Sequence, residues 1–152
     1  MPEEVFPEFV LGSETSDFLR VRALKRAHPT CNDYWDGNWI RCNVEVIVGG
    51  FRGTVNEDLR SEEFAQFHDQ LRILYERLTG KAAFGALEGW LEIDVAGDGY
   101  GHLTAKCELV DQPGTGNRLT FEIGFDQTYL PSVIAGLEKI LAAFPVMGHR
   151  TK

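Results

Sequence analysis

No uninterrupted apolar run in this chain approaches the ~20 residues needed to cross a bilayer, which argues against a helical membrane anchor. Cysteine is scarce. Cys31, Cys42 and Cys107 are odd in number, widely spaced and free of any C-x-x-C, so neither a disulfide frame nor a zinc site is expected. They read as reduced thiols, two of them buried. Basic charge is also in deficit: 15 Lys and Arg stand against 23 Asp and Glu, a formal net charge of −8. Such a surface repels phosphate, so nucleic acid is disfavoured as a direct ligand, while a basic protein partner would be attracted. The first residues, Met-Pro-Glu-Glu-Val-Phe-Pro-Glu, are acidic and lack the basic start and apolar centre of a secretory leader. The expected location is therefore the cytoplasm.

The 152 residues carry 43% hydrophobic and 25% charged side chains, the balance of an ordinary globule with one core. A single domain over 1–152 is expected, its core spanning about 16–145, with the first 15 and last 7 residues more loosely held. Read for period, the chain is rich in strands. Phe18–Leu24 alternates apolar and basic residues, as a half-exposed strand does. Trp39–Val48 sets Ile40, Cys42, Val44, Val46 and Val48 on one face, and Gly49-Gly50 turns the chain back into Phe51–Val55. The period then changes. Phe64, Phe67, Leu71, Leu74 and Leu78 form a helical stripe from about Ser61 to Thr79, with Ser61 as the expected cap and Gly80 as the stop.

The second half follows the same plan. Trp90–Val95, His102–Val110 and Arg118–Phe125 read as strands joined by Gly97-Asp-Gly-Tyr-Gly101 and Pro113-Gly-Thr-Gly-Asn117. A final helix carries Leu130, Val133, Ile134, Leu137, Ile140, Leu141 and Phe144, ending before Pro145 and Gly148. The fold class is α+β: mainly antiparallel sheet with two amphipathic helices packed on it, strands then helix in each half.

Catalytic signatures are missing from these elements. The glycine turns lack the G-K-[ST] of a phosphate loop and the helix a dinucleotide fingerprint requires. His28, His68, His102 and His149 fall on different elements, and Asp94 and Asp98 read as solvated acids. No Ser, Cys or Thr has a base beside it in sequence, so no enzyme, metal or cofactor is expected.

Two stretches remain, Asp33-Tyr-Trp-Asp-Gly-Asn-Trp39 and Phe125-Asp-Gln-Thr-Tyr-Leu-Pro131. Trp35, Asp36, Trp39, Asp126 and Tyr129 are expected to be structural, the tryptophans plugging the sheet edge or core and the aspartates accepting turn amides. The competing role is to line a groove for a partner or small ligand. In their order along the chain, these stretches, together with Gly49-Gly50-Phe51, Gly97-Asp-Gly-Tyr-Gly-His102 and Gly114-Thr-Gly-Asn117, make the sequence resemble the WapI family of bacterial immunity proteins from about Asp33 to Leu141. The resemblance implies a protein that shields its own cell from a secreted toxin with a nuclease end domain. It supplies no catalytic residues.

The functional expectation is thus a non-catalytic protein that binds a basic toxin domain. The densest acidic cluster, Glu57, Asp58, Glu62, Glu63 and Asp69, would mimic the phosphates of the toxin's substrate. The alternative is a small-molecule or regulatory binding domain with its pocket between sheet and helices.

Overall fold

The computed structural model describes residues 5–150. The readings made for the first four residues and the last two lie outside the described residues.

Two antiparallel four-stranded meanders form, one from each half of the chain. The first sheet runs β1 (Glu8–Gly12), β2 (Phe18–Arg26), β3 (Trp39–Val48) and β4 (Phe51–Arg60) in that spatial order. A one-turn helix α1 (Tyr34–Gly37) interrupts the β2–β3 connection. After α2 (Ser61–Arg77), the second sheet runs β5 (Thr79–Gly85), β6 (Leu91–Asp98), β7 (His102–Gln112) and β8 (Thr115–Asp126). A single 3-10 turn (Gln127–Tyr129) leads into α3 (Leu130–Ala143). The α+β class and its strands-then-helix halves are as the periodicity implied, with the strands divided between two sheets.

Alternation explains the core. Ile40, Cys42, Val44, Val46 and Val48 are all buried on β3, while the residues between them are half-buried. Leu91, Ile93 and Val95 do the same on β6, and Phe121, Ile123 and Phe125 on β8. Helix α2 joins the sheets through aromatics. Phe64 lies 6.3 Å from Phe9 of β1 and 5.5 Å from Phe84 of β5, and Phe67 lies 5.8 and 5.7 Å from the same two rings. Such tilted and edge-on pairs add to the burial of large apolar area. Helix α3 rests on β1 so closely that a Cβ on Gly136 would overlap the Glu8 carbonyl oxygen; glycine permits this approach.

Several boundaries depart from the sequence reading. Strands β1 and β5 were not expected: the first is short, and Thr-Gly-Lys-Ala-Ala-Phe-Gly has only Ala82 and Phe84 to bury. Strand β4 continues through Asn56-Glu-Asp-Leu-Arg60, a polar segment of low strand propensity. Cross-strand partners hold it, with Asn43 opposite Asn56 and Arg41 opposite Asp58. Ser61 is not the cap of α2 but its first residue; Arg60 occupies the cap position, and Glu63 Oε1 accepts its N–H at 2.8 Å. Nor does Gly80 end the helix. Leu78 does, at φ 61°, its N–H bonded to the Leu74 carbonyl at 2.7 Å and its own carbonyl accepting Gly99 N–H at 3.0 Å. The second sheet thereby imposes a left-handed backbone on a residue that would not choose it.

Candidate functional site

The first motif forms a small helical cap over one end of β3 and β4. Asp33 Oδ2 accepts the Asp36 N–H at 3.0 Å, the usual way an Asp starts a helical turn. Gly37 is buried, and a Cβ there would press on the Cys31 carbonyl. Asn38, fully buried, donates to the Tyr34 and Met147 carbonyls at 2.8 and 3.0 Å and accepts the Met147 N–H at 2.8 Å. Arg26 donates to the Gly37 carbonyl at 2.9 Å and to the Pro145 carbonyl at 2.6 Å. The segment after α3 is therefore tied to the motif by side chains that cross more than a hundred residues of sequence.

Arg60 is the hub of this cap, and no sequence feature pointed to it. The residue is 2% exposed. Its guanidinium donates to the Glu62 carboxylate at 2.6 Å and to the Trp35 and Tyr34 carbonyls, each at 2.7 Å. The Tyr34, Trp35 and Trp39 rings surround it at 5.3, 5.4 and 4.8 Å. A buried cation is tolerable only when paired and hydrogen-bonded, and this one is both. In the β3–β4 register it stands opposite Trp39. Burial first, and the neighbouring Glu62 carboxylate second, push the Tyr34 phenol above its ordinary pKa.

The tryptophans are placed differently from expectation. Trp39 is half-buried against Arg60 and Trp35 is 46% exposed. The core tryptophan is Trp90, 1% exposed, whose Nε1 donates to the Asp58 carbonyl at 3.2 Å.

The five acids of the proposed cluster do not share one surface. Asp58 points to the outer face of the first sheet and pairs with Arg41 at 3.5 Å, whereas Glu57 lies opposite Cys42 in the β3–β4 register. Glu62 is held by Arg60. Glu63 accepts the Arg60 N–H and, through Oε2, the Leu87 N–H at 2.6 Å, pinning the β5–β6 turn to α2. Asp69 is exposed beside His68, whose other ring nitrogen reaches Glu138 of α3 at 3.0 Å.

Burial raises the Glu63 carboxyl to about 7. A folded-state pKa above the unfolded value favours the neutral acid, so the contribution to stability is complete below about 4.5 and is lost as pH rises to about 7. The shift corresponds to on the order of 3 kcal/mol. Urea unfolding at pH 5 and pH 8 should show the wild type losing stability across that window and Glu63→Gln losing markedly less. A wild-type curve flat between those pH values would mean that Glu63 is ionised throughout.

The second motif closes the far end of α3. Asp126 Oδ1 accepts the Thr128 N–H at 2.9 Å and starts the 3-10 turn, and the Gln127 N–H bonds to the Gly101 carbonyl at 2.8 Å. Tyr129, 43% exposed, borders an open groove of about 750 Å³ between α3 and β1, lined also by Phe6, Val10, Ser132, Gly136 and Lys139. Asp126 accepts a turn amide, whereas in the first motif the accepting carboxylate is that of Asp33 and not Asp36, and Tyr129 borders the groove.

Burial pushes the Cys42 thiol far up and that of Cys107 up to about 12, so neither forms a thiolate at neutral pH. Among the described residues, Cys31, Asp33 and Asp36 bring potential metal-ligating atoms within 4.8 Å of one another, a grouping their sequence spacing did not suggest. Both carboxylates are exposed, and Asp33 already serves as the cap of α1.

The sequence matches the model of the Immunity protein WapI-like family over residues 10–145. The chain belongs to that family. No curated protein matches it. Among solved structures, this WapI-like chain is similar to the Trypanosoma bruciei MRP1/MRP2 structure at TM-score 0.52 and 14% identity, covering 92% of this chain and 86% of that one. It is similar to the plant transcriptional regulator PBF-2 at TM-score 0.52 and 10% identity, covering 96% and 84%. At such identities the likeness is one of fold. No helix of this WapI-like chain is long and apolar enough to cross a membrane among the described residues.

Proposed function

We propose that this protein is a non-catalytic cytoplasmic immunity protein that binds a cognate toxin domain and neutralises it. The observation that carries this reading is the family match, which spans nearly every element of the fold. The charge of −8 suits a basic partner, such as a nuclease domain whose substrate groove attracts phosphate. Of the acidic residues, Asp69 is exposed and Glu57 and Asp58 are partly exposed, so these three can steer such a partner, although Asp58 also pairs with Arg41 and Asp69 with His68. Glu62 and Glu63 contribute through the cap, since both carboxylates already serve the chain's own donors.

The test is surface binding to the toxin domain encoded beside this gene. Association should slow steeply with salt, because attraction between exposed charges is screened over ~8–10 Å at physiological ionic strength. Asp69→Lys combined with Glu57→Lys should slow association and leave dissociation nearly unchanged, the pattern of a steering charge. Absence of binding, or an association rate indifferent to salt and to both reversals, would overturn it.

A second reading rests on the groove between α3 and β1, whose 750 Å³ falls in the range of small-ligand sites. A metabolite that raises the melting temperature of the wild type, and fails to do so for Ser132→Trp, a change at an exposed groove-lining position, would favour it.

A further inference from the structure

The turn between β6 and β7 presents a large aromatic side chain that does nothing for the fold. Tyr100 is 94% exposed. Its backbone, by contrast, is firmly held. Asp98 Oδ1 accepts the N–H groups of Tyr100 and His102 at 2.7 and 3.1 Å. The Gly99 N–H bonds to the Leu78 carbonyl at 3.0 Å, and the Gly101 carbonyl accepts from Gln127 at 2.8 Å. Gly99 and Gly101 flank the tyrosine at φ 85° and 100°, a left-handed backbone on both sides that glycine adopts without strain. Isolated exposed apolar residues are common on protein surfaces. What sets Tyr100 apart is a fully solvated ring on a turn fixed by four hydrogen bonds.

Sequence motifs far apart in the chain meet at this place. Through the Gln127–Gly101 bond and the pairing of His102 with Asp126, the Gly97–His102 turn sits against the Phe125–Pro131 stretch, whose Tyr129 is also exposed. Asp98 belongs to this turn, and the N–H bonds it accepts from Tyr100 and His102 hold its carboxyl below the ordinary range, so it stays charged at any physiological pH; Asp126 stands opposite His102 across the β7–β8 pair. An aromatic tip with an acidic flank matches a partner surface that offers a recess for a phenol ring with lysine or arginine at its rim.

We infer that Tyr100 is the anchor by which this protein engages the toxin domain, its ring entering a recess on that domain whose rim is basic. The inference rests on the toxin-binding reading and locates its contact. Tyrosine is over-represented among residues that dominate binding energy, and a turn fixed before binding loses little conformational freedom on docking.

Calorimetric titration of the neighbouring gene's toxin domain with wild type, Tyr100→Ala, Tyr100→Phe and Leu87→Ala tests it. Leu87, also exposed, sits in the turn at the opposite end of β6. Tyr100→Ala should bind at least ~30-fold more weakly, Tyr100→Phe should retain most of the affinity, and Leu87→Ala should match the wild type. Melting curves for the Tyr100 variants should overlay the wild type, because the ring packs on nothing. Nitration by tetranitromethane gives a second readout: Tyr100 should react in the free protein and be shielded in the complex. A Tyr100→Ala variant that binds like wild type, or equal nitration in both states, would overturn this inference while leaving toxin binding intact. A wild type that does not bind would overturn the toxin-binding reading itself.

Discussion

Arg60→Ala is expected to lower the unfolding free energy by ~3–5 kcal/mol, the range for removing one partner of a buried ion pair. The guanidinium is almost wholly buried, and its loss strands the Glu62 carboxylate and the Tyr34 and Trp35 carbonyls together. It also empties the space enclosed by three aromatic rings. Urea unfolding measures the loss. Adding Glu62→Gln should restore part of it, since the double variant no longer buries an uncompensated charge. A single-variant loss below ~1 kcal/mol would show the pair to be solvated, at the value of a surface salt bridge.

Trp90→Ala is expected to cost ~3–5 kcal/mol, the range for truncating a large buried aromatic. Here the side chain is almost wholly buried, and its indole N–H satisfies the Asp58 carbonyl. Trp39→Ala should cost clearly less, because that side chain is only partly buried and its partner is the Arg60 guanidinium. Thermal melts of the two variants side by side decide the point. Equal losses would mean that stacking on Arg60 makes Trp39 worth as much as a core residue.

That contrast shows what the amino-acid order made legible. The Trp39–Val48 face and the Phe64–Phe67–Leu71–Leu74 stripe were read correctly because burial imposes a period of two on a strand and 3.6 on a helix, and neither depends on distant residues. Two buried cysteines were likewise expected, and the structure shows them to be Cys42 and Cys107. Strand β5 was not, since its two glycines and two alanines carry no strand preference and pairing with β6 alone makes it a strand. The acidic cluster is dispersed for a similar reason. Neighbours in sequence from Glu57 to Glu63 alternate direction along β4 and then turn onto a helix, so contiguous charges are sent to different surfaces and into internal bonds.

By itself, the sequence determined the fold class, the strands-then-helix plan of each half, the faces of β3, β6 and α2 that form the core and the family to which the chain belongs, because local periodicity and motif order are properties of the chain alone. Only the tertiary structure decided that Arg60 would be enclosed by Tyr34, Trp35 and Trp39, that Asn38 would grip Met147, that Glu63 would be buried enough to titrate near 7, and that the turn carrying Tyr100 would be fixed against Gln127. Each of these depends on groups remote in sequence meeting in a medium of low polarity, where a charge or an amide must find its partner across the fold.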